Sequence, residues 1–251
     1  MFFKRTLAAV VWLLVASHLA DTKAAIVTFG AVQDNTLYEN PTGAFSNGAG
    51  DYFFAGRSSQ PPGSSIRRGL IQFDLAGMVP AGATINSVTL TLNLNRASAA
   101  AGTQDVSLHK VTTAWGEGTS DATGEEGGGA AATIGDATWI HSSNPVLWTN
   151  VGGDFVAAAS DTQSLNANGN YNWSSPAMVT DVQSWVNDPS TNFGWLLRGN
   201  EATIATSMRF ASHENAVGAP SLSVDFTAVP EPSQCLVLLA VLGFQAVRRR
   251  R

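Results

Sequence analysis

The strongest constraint on the fold is a period-two alternation of apolar and polar residues. Between Val88 and Asn95, valine or leucine alternates with threonine or asparagine. Such alternation predicts a β-strand with one buried face. The pattern recurs in residues 204–212 and 221–226, and clusters of glycine, proline, asparagine and serine separate the segments. The sequence therefore predicts an all-β fold, an antiparallel sandwich or a barrel.

One segment has helical periodicity instead. Ser175 suits an N-cap and Pro176 the first helical position, and apolar residues recur at helical spacing from Val179 to Val186. The segment Asn187-Asp188-Pro189 then ends the pattern. The sequence predicts one short helix near 176–187, with its apolar face packed on the core.

Residues 1–25 have the pattern of a secretory signal peptide. Lys4 and Arg5 precede an apolar run from Leu7 to Val15, and small residues follow up to Ala25. The apolar run is shorter than the roughly 20 residues that span a bilayer. We therefore expect an N-terminal signal helix and export, with cleavage after Ala20, Ala24 or Ala25.

Residues 229–251 form a second terminal signal. Pro230-Glu231-Pro232 precedes an apolar run, Cys235 to Val247, and four arginines follow it. A helix over this run would be only about 20 Å long, too short for a comfortable membrane span. This order of motif, short apolar helix and basic end resembles the PEP-CTERM sorting signals of Gram-negative bacteria. The resemblance implies processing by an exosortase-type enzyme after transient membrane insertion through 235–247, and location at the cell envelope, outer surface or extracellular matrix. A plain single-pass anchor is the alternative.

The charge of the body limits its partners. Residues 26–229 contain seven arginines and lysines against seventeen aspartates and glutamates, a net charge of −10. Such an acidic domain has no electrostatic footprint for nucleic acid. It suits neutral ligands, or cations that bridge it to an acidic polymer. The only cysteine, Cys235, lies in the tail, so this body has no disulfide.

Several segments of the body resemble disaggregatase-related, DNRLRE-type domains. They are RRGLIQFDLAGMVPAGATINSVTLTLNL (67–94), HKVTTAWGEG (109–118), the WI…LWTNVGGDF stretch (139–155) and MVTDVQSWVNDPSTNFGWLLRG (178–199). The resemblance implies one domain over 26–228, a jelly-roll-type antiparallel β-sandwich similar to carbohydrate-binding modules. Some relatives are classed as alginate-binding. No catalytic domain adjoins the body, which weakens the transfer of any enzymatic role.

The candidate carbohydrate-binding residues are aromatic and polar side chains in irregular segments. Trp115 with Glu117, and Trp148, could stack on or bond to a sugar ring, although tryptophans in a sandwich usually fill the core. Arg67 and Arg68 could bind a uronate carboxylate through a two-pronged contact. The alternative for the arginines is an ion pair with Asp74 or another acid.

No catalytic residues are predicted, because the sequence has no GxSxG elbow, phosphate-binding loop or zinc-protease helix. No cofactor is expected beyond a structural Ca²⁺, for which Asp34, Asn35 and Asp154 are candidate ligands. An enzyme built from Glu117, Asp154 and His141 remains an alternative, since carboxylate pairs need not form a motif.

Together these patterns predict an exported, envelope-sorted, non-catalytic β-sandwich that binds or organises extracellular polysaccharide. A polysaccharide-active lyase or hydrolase is one alternative. A structural matrix or adhesion protein without a small ligand is the other.

Overall fold

A computed structural model describes residues 24–97 and 102–228 of the chain. These residues belong to one compact unit, Lys23–Val229. The predicted sorting tail, with Pro230-Glu231-Pro232, lies outside the described residues, and so does the predicted signal peptide apart from Ala24 and Ala25. Among the residues described, no helix is both long enough and apolar enough to cross a membrane.

The described residues form mainly short strands. The strands are β1 (Ala24–Gly30), β2 (Gln33–Tyr38), β3 (Phe45–Ser46), β4 (Tyr52–Arg57), β5 (Ile66–Gln72), β6 (Thr84–Arg96), β7 (Gln104–Lys110), β8 (Ala130–Ala131), β9 (His141–Ser143), β10 (Val146–Leu147), β11 (Asp161–Leu165), β12 (Gly169–Trp173), β13 (Trp195–Arg198), β14 (Met208–Ala211) and β15 (Ser221–Thr227). The helices are α1 (Pro176–Asn187) and a short 3₁₀-helix (Pro189–Thr191).

The main sheet is antiparallel and curls on itself. Strands β1, β15, β6, β14 and β4 follow one another in one half, with β12 on β6, and β5, β13, β7 and β11 follow in the other, with β2 on β5. Strand β4 joins the halves, because it pairs with β14 through Tyr52–Ala55 and with β5 through Gly56 and Arg57. The predicted all-β antiparallel sandwich, jelly-roll in type, is confirmed.

The apolar alternation that predicted the strands faces the main core. Val88, Leu90, Leu92 and Leu94 of β6 are each at most 1% exposed, and the polar residues between them are partly exposed. They pack with the apolar residues of β15 and with those of β5, β7 and β13 from the other half of the sheet. Burying each such leucine contributes about 2 kcal/mol, so this face supplies much of the stability.

One predicted strand is shorter than expected. The alternation in residues 204–212 extends over nine residues, but β14 begins only at Met208. Ala205 has a φ of +61° and Ile204 is 60% exposed, so a turn occupies the first part of the segment. Apolar alternation alone therefore overestimated the strand, because it does not detect a left-handed turn at alanine.

The predicted helix is confirmed as α1. Ser175 caps it, since its hydroxyl oxygen accepts a hydrogen bond from the Met178 amide at 3.1 Å. Val182 and Trp185 are buried, and the Trp185 ring packs edge-on against Trp195 with centroids 4.5 Å apart. The helix thus covers part of the main core, as predicted for its apolar face.

A second apolar cluster lies on the outer face of β2, β5 and β13. Leu37, Leu70 and Leu196 contribute to it from the sheet, while Ile71 and Leu197 belong to the main core. The chain that follows β7 covers this outer face, supplying Val111, Trp115, Ala137 and Trp148. The chain after β7 therefore has a packing role, and residues 117–168 of it contain four short strands, β8 to β11.

Gly194 provides a test of this packing. Its φ is +71°, and a Cβ added there would lie 2.0 Å from the Ile71 carbonyl oxygen of the neighbouring strand. We expect Gly194→Ala to lower the free energy of unfolding by about 3 kcal/mol, measured by urea denaturation, because both the backbone and β5 must shift. Gly128→Ala is the control, since nothing lies within 4 Å of its added Cβ. Equal stabilities of the two variants would contradict this account.

Candidate functional site

Four ionisable side chains meet at one histidine, and we call them the acidic–histidine cluster: Asp34, Glu117, His213 and Glu214. Nδ1 of His213 lies 3.2 Å from Oδ2 of Asp34, 3.5 Å from Oε1 of Glu117 and 3.1 Å from Oε2 of Glu214. One nitrogen thus contacts three carboxyl groups.

Backbone hydrogen bonds fix the cluster from three parts of the chain. Asp34 lies on β2, and its amide donates to Oε1 of Glu117, 2.8 Å away. The His213 amide, just after β14, donates to Oδ2 of Asp34 at 2.7 Å. The Glu117 carbonyl accepts from Nδ2 of Asn35 at 2.7 Å and leaves no room for a Cβ on Gly48, which would lie 1.8 Å away. The three segments are therefore held in close contact.

Burial and mutual charge shift the pKa values in the cluster. Burial raises the pKa of Asp34, and the hydrogen bonds from His213 only partly oppose it. Burial likewise raises the pKa of Glu117 to about 7. The hydrogen bond to Asp34 raises the pKa of His213 to about 9. The cluster thus carries more acid groups than its single imidazolium can neutralise, so it favours bound protons or another cation.

The structure places Trp115 and Trp148 in the second apolar cluster. They are 7% and 5% exposed, and each indole N–H donates to a carbonyl, that of Phe193 for Trp115 and that of Thr138 for Trp148. Both rings have the packing environment that was the alternative to sugar stacking. Neither ring presents an open face to solvent in this conformation. A sugar-binding role for the two tryptophans stays a prediction.

The two predicted arginines are both engaged within the protein. Arg67 is 3% exposed, donates to the carbonyls of Ser64, Ile66 and Gly127, and lies over the Tyr38 ring. Arg68 forms a two-pronged ion pair with Glu201, at 2.7 and 3.1 Å. Asp74 instead accepts a hydrogen bond from the Ala76 amide.

The three candidate calcium ligands lie in different hydrogen-bond networks. Asp34 belongs to the acidic–histidine cluster, whereas the Asn35 side chain bonds to Ser46 and to the backbone. The Asp154 carboxylate accepts from Thr149 and Asn150 of its own turn and from the Thr113 hydroxyl, which lies 41 positions earlier. These hydrogen bonds lower the pKa of Asp154 although burial acts to raise it. A site made of these three residues is therefore not assembled in this structure.

The three residues of the alternative enzyme prediction, Glu117, Asp154 and His141, also lie in separate hydrogen-bond networks. Glu117 contacts His213, Asp154 stabilises its turn, and Nδ1 of His141 lies 2.9 Å from the Thr138 hydroxyl oxygen. The β-sandwich as described has no positive sign of catalysis. His213 and Glu214 are the residues that sequence reasoning missed, because their spacing served only to exclude a zinc-protease helix. The contact between His213 and Asp34 spans 179 positions, and no local pattern indicates it.

No protein-family model and no curated protein matches the chain. The resemblances to PEP-CTERM tails and DNRLRE-type domains therefore depend on the quoted motifs alone.

The Arg68–Glu201 pair provides a pH-dependent prediction. Burial acts to raise the pKa of Glu201, but the hydrogen bonds and charges of Arg68 and Arg198 outweigh it and lower the pKa below the ordinary 4.5. The ionised carboxylate therefore stabilises the folded state above pH 4.5, and this contribution is lost as the pH falls through the lowered pKa. We expect Glu201→Gln to cost about 2 kcal/mol at neutral pH and progressively less below pH 4.5.

Chemical denaturation across this pH range measures the free energy of unfolding of this variant and of a control. Glu125→Gln is the matched control, because Glu125 also pairs with two arginines but its side chain is 71% exposed. Its cost should stay within about 1 kcal/mol at any pH. A Glu201→Gln cost that does not change with pH would refute the assignment.

Proposed function

We propose that the protein is an exported, envelope-sorted, non-catalytic β-sandwich that binds extracellular polysaccharide. The observation that carries the proposal is an open surface pocket of about 590 Å³, lined by residues that include Ser58, Ser59, Ser207, Arg96, Arg209 and Glu125. This volume lies within the range of small-ligand sites, which combine a mostly apolar lining with a few placed polar groups.

The pocket has a local excess of positive charge. Arg96 and Arg209 both pair with Oε2 of Glu125, so two guanidinium groups share one carboxylate. Arg209 also lies over the Tyr52 ring at 3.9 Å, and its Nε is buried without a hydrogen-bond partner among the described residues. A sugar carboxylate entering the pocket could pair with both guanidinium groups.

The charge balance favours a uronate-containing polysaccharide. Glu125 is 71% exposed and easily displaced, whereas the guanidinium of Arg209 is held in place, with its side chain only 13% exposed. A ligand carboxylate would take the place of the Glu125 carboxylate and keep both arginines paired. The serine hydroxyls would bond to sugar hydroxyls. The pocket thus supports the predicted polysaccharide role at residues other than the predicted Arg67 and Arg68.

Binding to a polyuronate, with a neutral glucan in parallel, tests the function by gel retardation and calorimetry. We expect Arg96→Gln to weaken polyuronate binding about tenfold or more, because one of two carboxylate contacts is lost. Arg198→Gln is the matched control, an exposed arginine that also shares a glutamate with a second arginine. Equal loss in both variants would place the ligand elsewhere.

The same samples separate the alternatives. New reducing ends or unsaturated uronates, abolished by Glu117→Gln, would indicate the lyase or hydrolase. Absence of both binding and turnover would favour a structural matrix or adhesion protein.

The sorting proposal has its own test in the tail. We expect surface-located protein to lack the segment after Pro230-Glu231-Pro232, as determined by intact mass, because a processing enzyme removes it. Replacing Glu231 by alanine should leave the tail attached and the protein in the membrane fraction. A full-length mass for the unchanged surface-located protein, with its tail still attached, would argue for a permanent anchor.

A further inference from the structure

The Asp34 carboxyl group has one buried oxygen without a partner. Its side chain is 1% exposed, and Oδ2 accepts from the amide of His213 and contacts its ring. Oδ1 has no hydrogen-bond partner among the described residues. Leaving a buried carboxylate oxygen unpaired is unfavourable, since the group loses its hydration without replacement. Because Oδ1 belongs to the carboxyl group that contacts His213, the missing partner lies beside the acidic–histidine cluster.

A proton on His213 cannot satisfy the surrounding carboxyl groups. Nδ1 carries at most one hydrogen, which points well at a single acceptor. Yet oxygens of Asp34 and Glu214 lie at almost equal distances from it, 3.2 and 3.1 Å. At least one of these carboxyl groups therefore receives no hydrogen bond from Nδ1, and a single imidazolium leaves an excess of acid groups around it.

The distances match the spacing of ligands around a metal ion. With metal–ligand bonds of about 2.0 to 2.2 Å, neighbouring ligands in octahedral or tetrahedral shells are about 2.8 to 3.6 Å apart. The two contacts to Nδ1 fall in this range, and Asp34, His213 and Glu214 each offer a ligand atom within 4.8 Å of the others. A small movement would close these ligands around one ion.

The donor set identifies the class of ion. One imidazole nitrogen with carboxylate oxygens suits first-row divalent ions such as Zn²⁺ and Mn²⁺, whereas Ca²⁺ prefers six to eight oxygens. We propose that Asp34, His213 and Glu214 form a binding site for a divalent transition-metal ion. Glu117, 3.5 Å from Nδ1 of His213, flanks the site and is held there by its bond to the Asp34 amide.

The fold gives the site both a rigid base and an entry route. Asp34 lies on β2 and is buried, while His213 and Glu214 follow β14 and keep 26% of their side chains exposed. The ion would therefore join the two halves of the curled sheet and could enter from solvent. This inference does not depend on the polysaccharide proposal, because it predicts metal binding in the absence of any glycan.

Metal titration of the untagged protein, stripped with EDTA and then freed of chelator, tests the proposal. We expect the melting temperature to rise by about 5 °C in Zn²⁺ or Mn²⁺ at roughly one hundred times the dissociation constant. Ca²⁺ should give a smaller shift. Calorimetry should show one ion per chain, and Co²⁺ should show the visible absorption of a bound ion. No shift with either transition metal, or a shift with Ca²⁺ alone, would overturn the proposal.

Variants locate the ion. Glu214→Gln and His213→Gln should each weaken binding about tenfold or more, as loss of one ligand does. Asp121→Asn, which removes an exposed carboxylate outside the cluster, is the control and should bind as the unchanged protein does. Since Glu214 is partly exposed, its variant should fold, which circular dichroism without metal verifies. Undiminished affinity in the folded Glu214→Gln variant would refute the site.

Discussion

Strands β5 and β13 bury apolar side chains on both faces, and the rest of the structure follows from that constraint. Consecutive leucine and isoleucine residues, such as Leu70-Ile71 and Leu196-Leu197, alternate between the second cluster and the main core. A sheet with one covered face would leave half of them in water, at about 2 kcal/mol for each exposed leucine. The long segment after β7 must therefore fold back over the outer face, and in doing so it places Glu117 beside β2.

The regular elements could be predicted from the sequence because they depend on local periodicity. Alternation located β6 and β15, and the Ser175-Pro176 pair located the start of α1. The packing of the chain after β7 over the outer face could not be predicted in the same way. Its tryptophans, Trp115 and Trp148, look like ligand-binding residues in a glycine-rich segment, yet they are buried because β5 and β13 need apolar partners there.

The candidate site was predicted only in fragments. Asp34 and Glu117 were both singled out from the sequence, but for different roles, calcium binding and sugar binding. What joins them is a backbone hydrogen bond across 83 positions, and His213 enters from still further along the chain. Such contacts depend on the pairing of β2 and β14 with different neighbours, which residue spacing does not specify.

Burial separates the two arginine–glutamate trios. In one, Arg68 and Glu201 are each 12% exposed, and Arg68 also donates to the Gly152 carbonyl and lies over the Trp139 ring. In the other, Arg96 and Glu125 are 62% and 71% exposed. The first fixes the segment 199–202 against β5 through its largely buried Arg68–Glu201 pair. Only the second can exchange its own carboxylate for one from outside at little cost, because solvent already screens that pair.

A cation among Asp34, His213 and Glu214 would act in this domain as a disulfide does elsewhere. It would cross-link two distant segments, β2 and the chain after β14. It would so add stability that the apolar clusters do not supply there.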